Sequence, residues 1–217
     1  MLPGWSPLLA ALAALSILLG NFVALAQTNV RRLLAYSAVA HAGYTLLGLV
    51  AGGREGFSAT LFYTTIYAIT LIGAFAVVGM VKRETGGDDF QNFAGLASRS
   101  PLSAACMAVF MLSLAGLPPL AGFFGKFYLF SAAFRAGTNH GLLWLVVVAL
   151  FGSFVSLYYY LSVLKVIFVD KATDKTPVPV SESDVLQQSI MTVLAAAVLL
   201  LGILPQTFAA AIARSVP

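Results

Sequence analysis

Six stretches of this chain, at about residues 7–26, 33–51, 58–81, 101–131, 141–168 and 187–209, run apolar for about twenty residues or more, and only one of them carries a charge well inside it. About 20 such residues as helix cross roughly 30 Å of hydrocarbon. Barrel strands would instead alternate apolar and polar over about ten residues. The runs therefore predict an all-α integral membrane protein of six transmembrane helices, forming a single transmembrane domain over 1–217. Composition agrees: 60% of the 217 residues are hydrophobic and 9% charged, against about 25% charged in a soluble domain. The first run lacks a basic leader and a clear A-x-A site followed by a soluble domain, so it reads as a span rather than a signal peptide.

The basic residues set an orientation. Arg31, Arg32, Lys82, Arg83, Arg99, Lys165, Lys171 and Lys175 fall on one side, and Arg54, Arg135 and Arg214 on the other. The richer side is expected in the cytoplasm, which puts both termini outside. The two longer polar loops, 82–100 and 169–186, then face the cytoplasm and read as solvated connections. The net charge of +4 is scattered over segment ends and forms no basic patch, so the lipid bilayer, and not nucleic acid, is the expected partner. A lone cysteine, Cys106, excludes an intrachain disulfide framework and a CxxC metal site.

Lys126 is the twelfth basic residue and the one charge well inside a span. No acid of the chain shares its depth. A charge at mid-bilayer costs at least about 2.5–3.5 kcal/mol and usually faces protein interior or a hydrated cavity. It lies within "LAGLPPLAGFFGKFYLF", Leu114 to Phe130. Pro118 and Pro119 cannot donate backbone hydrogen bonds, while Gly116, Gly122 and Gly125 permit unusual dihedrals and close helix approach. The fourth run is too long for one straight crossing, so it is predicted to be discontinuous at Gly116–Pro119. Interrupted helices mark ion sites in transporters. Phe123, Phe124 and Phe127 are expected to wall Lys126 off from water, leaving an amine able to release and regain a proton. The competing reading is a lysine that snorkels to the interface beside a simple kink.

Ser37, His41, Tyr44 and Gly48 fall on one helix face. Histidine titrates near neutrality, so this stripe reads either as a polar path for protons or as a hydrogen-bonded packing face; both stay open. Tyr63, Tyr67 and Thr70, and likewise Ser153, Ser156 and Tyr160, read as packing stripes. His140 is expected in a short outward loop, and Trp5 and Trp144 read as interface anchors. No GxxxxGK[ST], GxGxxG, HExxH or cysteine cluster occurs, so no cofactor, metal or catalytic redox residue is expected on this chain.

"QTNVRRLLAYSAVAHAGYTLLGLVA" (Gln27 to Ala51), "MLSLAGLPPLAGFFGKFYLF" (Met111 to Phe130) and the following "SLYYYLSVLKVIF" resemble the antiporter-like membrane subunits of respiratory complex I, the proton-pumping NADH:quinone oxidoreductase, over essentially the whole chain. Members of that family carry about fourteen helices in two inverted five-helix repeats, each with a broken helix, and a buried row of a glutamate and lysines. The resemblance implies that this chain corresponds to the last six helices, a partial antiporter-like inverted-repeat fold. Lys126 would be the terminal lysine of the row, and His41 the histidine of the family's AYS-x-x-x-H-x-G-Y pattern. Both would take part in proton translocation. The glutamate and the other lysines would lie in segments ahead of Met1. NADH, FMN, iron–sulfur clusters and quinone would sit in partner subunits, with other membrane-arm subunits as neighbours in a bacterial inner membrane. A related cation/proton antiporter or membrane-bound hydrogenase complex, and a non-transporting scaffold, are the alternatives. Half of the inverted repeat alone is expected not to pump.

Overall fold

The computed structural model describes residues 5–140, 142–171 and 182–216, with side chains described for all of these except 137–140 and 182–184. Ten helices follow in chain order among the described residues: α1 (Trp5–Leu25), α2 (Val30–Ala51), α3 (Gly53–Thr85), α4 (Phe90–Phe93), α5 (Leu96–Arg99), α6 (Pro101–Ala115), α7 (Ala121–His140), α8 (Leu143–Phe168), α9 (Glu182–Ile203) and α10 (Pro205–Ser215). No strand occurs among the described residues; there is one isolated bridge, Asn29 to Asp89.

The apolar runs become helices because hydrocarbon offers no partner for backbone N–H and C=O groups, and a helix satisfies them internally. Five helices, α1, α2, α3, α8 and α9, are long and apolar enough to cross a membrane. The predicted fourth span is two pieces. α6 has 15 residues and reaches only about 22 Å, and α7 resumes after the break and continues to His140. A count of six crossings therefore rests on α6 and α7 making one passage together. The sixth run also differs from its predicted bounds of 187–209. α9 starts at Glu182 and ends at Ile203, and Pro205 opens the separate helix α10. Proline suits a first helical position and cannot continue a preceding helix. His140 ends α7 instead of lying in a loop; its side chain is outside the described residues.

α3, with 33 residues, would extend about 50 Å, far beyond a hydrocarbon layer. Its last turns, with Lys82, Arg83 and Glu84, project as a stem. The 82–100 connection packs on that stem and is not merely solvated. Phe93 and Leu96 are fully buried. Asn29 caps α2 by accepting from the Arg32 amide at 3.0 Å, and its amide donates to Asp88 at 2.6 Å and Asp89 at 2.9 Å. Asp88 also pairs with Arg31 at 2.9 Å and Lys82 at 3.7 Å, and Arg99 with Glu84 at 3.4 Å. Residues 172–181 of the other long connection are outside the described residues.

Close packing in a membrane relies on small residues that let backbones approach. α1 presents Ala13 and Gly20 to Ala40 and Gly43 of α2. The opposite face of α1 leaves Leu8, Leu12, Leu15, Leu19 and Phe22 exposed, as an apolar solvent permits. α10 turns Phe208, Ala209 and Ile212 onto the core.

Candidate functional site

The break is built by helix chemistry. α6 ends with Gly116 in the left-handed region, φ 83°, which a Cβ would disfavour. The Gly116 amide donates to the Ser113 carbonyl at 3.0 Å and the Leu117 amide to Leu112 at 3.1 Å, a Schellman-type ending. Pro118–Pro119 is a cis peptide. That cap leaves the last carbonyl, Ala115, aimed past the helix end, where helix carbonyls lack partners and the dipole is negative.

Lys126 supplies the partner. Its Nζ donates to the Ala115 carbonyl at 3.2 Å and to Ser153 Oγ at 3.1 Å, and lies 5.6 Å from the centre of the Tyr44 ring. The residue is 5% exposed, so its amine is held inside the chain and does not reach for an interface. The stem lies along Gly116. Gly122, on α7, sits so close to Ser113 of α6 that a side chain there would overlap the Ser113 carbonyl oxygen; its amide donates to Ser113 Oγ at 3.2 Å. Gly125 faces Tyr63. Of the phenylalanines expected to wall Lys126 off, Phe123 and Phe124 are half-buried, but Phe127 is not part of a wall. Phe127 points outward and is more than half exposed, because on a helix it lies about 100° away from residue 126.

His41 is buried on α2 and bonded at both ring nitrogens: Nδ1 to the Tyr63 hydroxyl at 2.6 Å and Nε2 to the Tyr160 hydroxyl at 3.1 Å. Its ring stacks on Tyr67, centroids 4.4 Å apart. A neutral imidazole has one donor and one acceptor, so exchanging its tautomer reverses both hydroxyl bonds. Ser37 donates back to the Leu34 carbonyl at 2.8 Å and lies beside Tyr160. Tyr44 accepts from Asn21 Nδ2 at 3.3 Å, and Tyr159 donates to Asn21 Oδ1 at 3.0 Å. The Tyr159 and Tyr160 rings meet at 4.5 Å, so the Lys126 and His41 groups of residues converge there.

A second meeting place is a cavity of about 10 Å³ lined by His41, Tyr67, Thr70, Ser113 and Lys126 among others, room for about one water. The Tyr67 hydroxyl, buried, has no hydrogen-bond partner among the described residues. Lys126 of α7 and Ser37, His41 and Tyr44 of α2 thus meet in one polar core, completed by residues of α1, α3, α6 and α8. Tyr63, Tyr67, Tyr160 and Ser153, expected to be packing residues, are part of it, as is Asn21, which the sequence reading passed over. A lone asparagine in an apolar run was the available signal, since polar groups in lipid need partners.

Comparison with known proteins bears on this core. The family model described as NADH:quinone oxidoreductase/Mrp antiporter, TM matches residues 1–156. NADH-quinone oxidoreductase subunit N 2 of Acidobacterium capsulatum is 52% identical over 205 residues, covering 94% of this chain and 40% of that protein. A chain of respiratory complex I from Thermus thermophilus has 36% identity and a TM-score of 0.77, over 95% of this chain and 45% of that one. A chain of the membrane-bound sulfane sulfur reductase, an archaeal respiratory membrane complex, has 28% identity and a TM-score of 0.86, over 97% of this chain and 42% of that one. The chain thus spans less than half the length of each.

Proposed function

Because the chain belongs to the NADH:quinone oxidoreductase/Mrp antiporter transmembrane family, we propose that it forms the C-terminal part of subunit N in the membrane arm of an NADH:quinone oxidoreductase, and that it contributes there to proton translocation coupled to quinone reduction. Electron transfer from NADH, through FMN and iron–sulfur clusters to quinone, belongs to partner subunits; this chain carries no catalytic residue for it. Lys126 is the proton-exchanging group and His41 its partner, with Ser37 and Tyr44 beside them. α6 and α7 make one discontinuous crossing, giving six, with both termini outside the cytoplasm.

The observation that carries this reading is the ammonium of Lys126 bound to the unpaired end of α6 at Ala115 and to Ser153, on the wall of a one-water cavity that His41 shares. A cation in such a place can pass a proton to water and be recharged, while exchange of the His41 tautomer turns both tyrosine hydroxyl bonds around beside it. The 28% identity with the sulfane sulfur reductase chain favours one second reading, in which the same core serves a related cation/proton antiporter or membrane-bound hydrogenase type of complex. Co-purifying subunits decide between the two.

The test is made in the assembled complex. Lys126→Ala is expected to leave NADH oxidation coupled to quinone reduction and to lower proton movement per electron. Lys126→Arg keeps the charge but cannot release a proton under ordinary conditions, and is expected to fail in the same way. Unchanged pumping in both variants refutes the relay and leaves a scaffold. The chain reconstituted alone is expected to show no lysine-dependent proton flux.

A further inference from the structure

Another cavity lies away from the polar core. It measures about 390 Å³ and is formed between the first turns of α3 and the outer face of α7, with Ala213 of α10 at its rim. That volume lies in the range of small-ligand sites, about 300–1,000 Å³.

The lining is graded along the helix axes. Arg54 and Arg135 stand at one end, and Phe62 and Phe127 at the other. In each pair the residues are eight positions apart on one helix, about 12 Å at 1.5 Å per residue. Charge therefore gives way to aromatic surface over the depth at which a bilayer passes from phosphate to hydrocarbon. The arginine end is organised. The Arg54 guanidinium donates Nε at 3.2 Å and Nη2 at 2.7 Å to the Ala213 carbonyl, which spends two of its five N–H groups and ties α10 across the mouth. Arg135 contacts both carboxylate oxygens of Glu55, at 3.2 and 3.3 Å. Two guanidiniums and one carboxylate stand at the mouth. Below it the Ser58 hydroxyl is shielded and has no partner among the described residues.

We propose that this cavity is a binding site for an anionic phospholipid, its phosphate held at Arg54 and Arg135 and one acyl chain lying along Phe62 and Phe127. Guanidinium matches phosphate with paired N–H donors, and an apolar slot continuous with charge at one end only suits a lipid better than a soluble anion or a nonpolar ligand. The bound lipid would sit between α3, which carries Tyr63, and α7, which carries Lys126, and would bridge them to α10.

The complex containing this subunit is reconstituted in nanodiscs with a photoactivatable phosphatidylglycerol, illuminated and digested. Crosslinks are expected on the peptides holding Phe62 and Phe127–Ser131, and are expected to be at least fivefold weaker with the matching phosphatidylcholine. Arg54→Gln with Arg135→Gln is expected to abolish the preference for phosphatidylglycerol. Ala132→Trp, which fills the slot but keeps both arginines, is expected to remove the crosslink itself. Equal labelling by both lipids, labelling unchanged by Ala132→Trp, loss of labelling to added inorganic phosphate alone, or a protein segment of a neighbouring subunit seated in the slot would each overturn the proposal. The wild-type comparison of the two lipids stands even where a variant does not assemble.

Discussion

Replacing Gly122 by alanine puts the junction of α6 and α7 under the most direct strain available to a single methyl group. The new Cβ would overlap the Ser113 carbonyl oxygen and approach Ser113 C at 2.7 Å and Oγ at 2.8 Å. These atoms belong mainly to the α6 backbone, which cannot rotate away as a side chain tip would. Overpacking of this kind costs about 1–3 kcal/mol, and losing the Gly122 amide bond to Ser113 Oγ adds about 1 kcal/mol. Alanine also gains about 0.5–1 kcal/mol over glycine inside a helix, and a control removes that term. At Gly79 in α3 an added Cβ meets only Gln187 Nε2, at 3.7 Å, so Gly79→Ala keeps the helix gain without the collision. Gly122→Ala is expected to be less stable than Gly79→Ala by about 2–4 kcal/mol, seen as a lower melting temperature. Relief by α7 backing away from α6 also displaces Lys126, one turn on. Its 3.2 Å bond to Ala115 leaves hydrogen-bond range with a shift of about 0.5 Å. Thermal melts of the assembled complex, with protons moved per NADH oxidised in proteoliposomes, measure both effects. If Gly122→Ala melts with Gly79→Ala and pumps at the wild-type ratio, the close junction is not what holds the lysine.

Tyr159→Phe removes the donor to buried Asn21 Oδ1 and is expected to cost about 1–3 kcal/mol, whereas Tyr158→Phe, at a residue 68% exposed, should stay within about 0.5 kcal/mol; equal melts for the two would count against the buried network. The Asn29 amide beside Asp88, helped by Lys82 and Arg31, holds the Asp88 carboxyl below the usual carboxylate range. A depressed carboxyl contributes stability above its unfolded pKa and loses it as pH falls through the folded value. Limited proteolysis within 82–100 is therefore expected to accelerate at acid pH in the wild type and to lose that acid step in Asp88→Asn, at a cost under about 1 kcal/mol near neutrality; identical pH profiles would refute the role of Asp88.

The break was legible because proline and glycine are the strongest local punctuation in a sequence, and Gly116 with Pro118 and Pro119 left α6 no way to continue. Pro205 carries the same signal, but the apolar stretch around it masks the stop, so the run expected at 187–209 is set five to six residues beyond α9 at each end. The single charge at Lys126 stood out against its neighbours, but its surroundings did not. Helical spacing says that Tyr63, Tyr67 and Thr70 share a face, and that Ser153 and Tyr160 share another. It does not say which helix that face meets. The pairing of His41 with Tyr63 and Tyr160, across 22 and 119 residues of chain, is decided by how α2, α3 and α8 pack. The burial of Phe93 and Leu96 was hidden for the same reason. A loop rich in polar residues reads as wet until the stem it leans on is in place.

The strap of Asn29, Asp88 and Arg99 has a mechanical consequence. It fastens the beginnings of α2 and α6 to the end of α3, so the helix bearing His41 has a fixed footing there. The strap does not reach α7, which is held by packing instead: Gly125 lies on Tyr63 and Leu129 and Ala133 are buried, with the exposed pair of Arg135 and Glu55 near its far end. A force on α7 from a neighbour would be expected to pivot it about the Gly116–Leu120 fulcrum, so that the amine swings while the imidazole stays put.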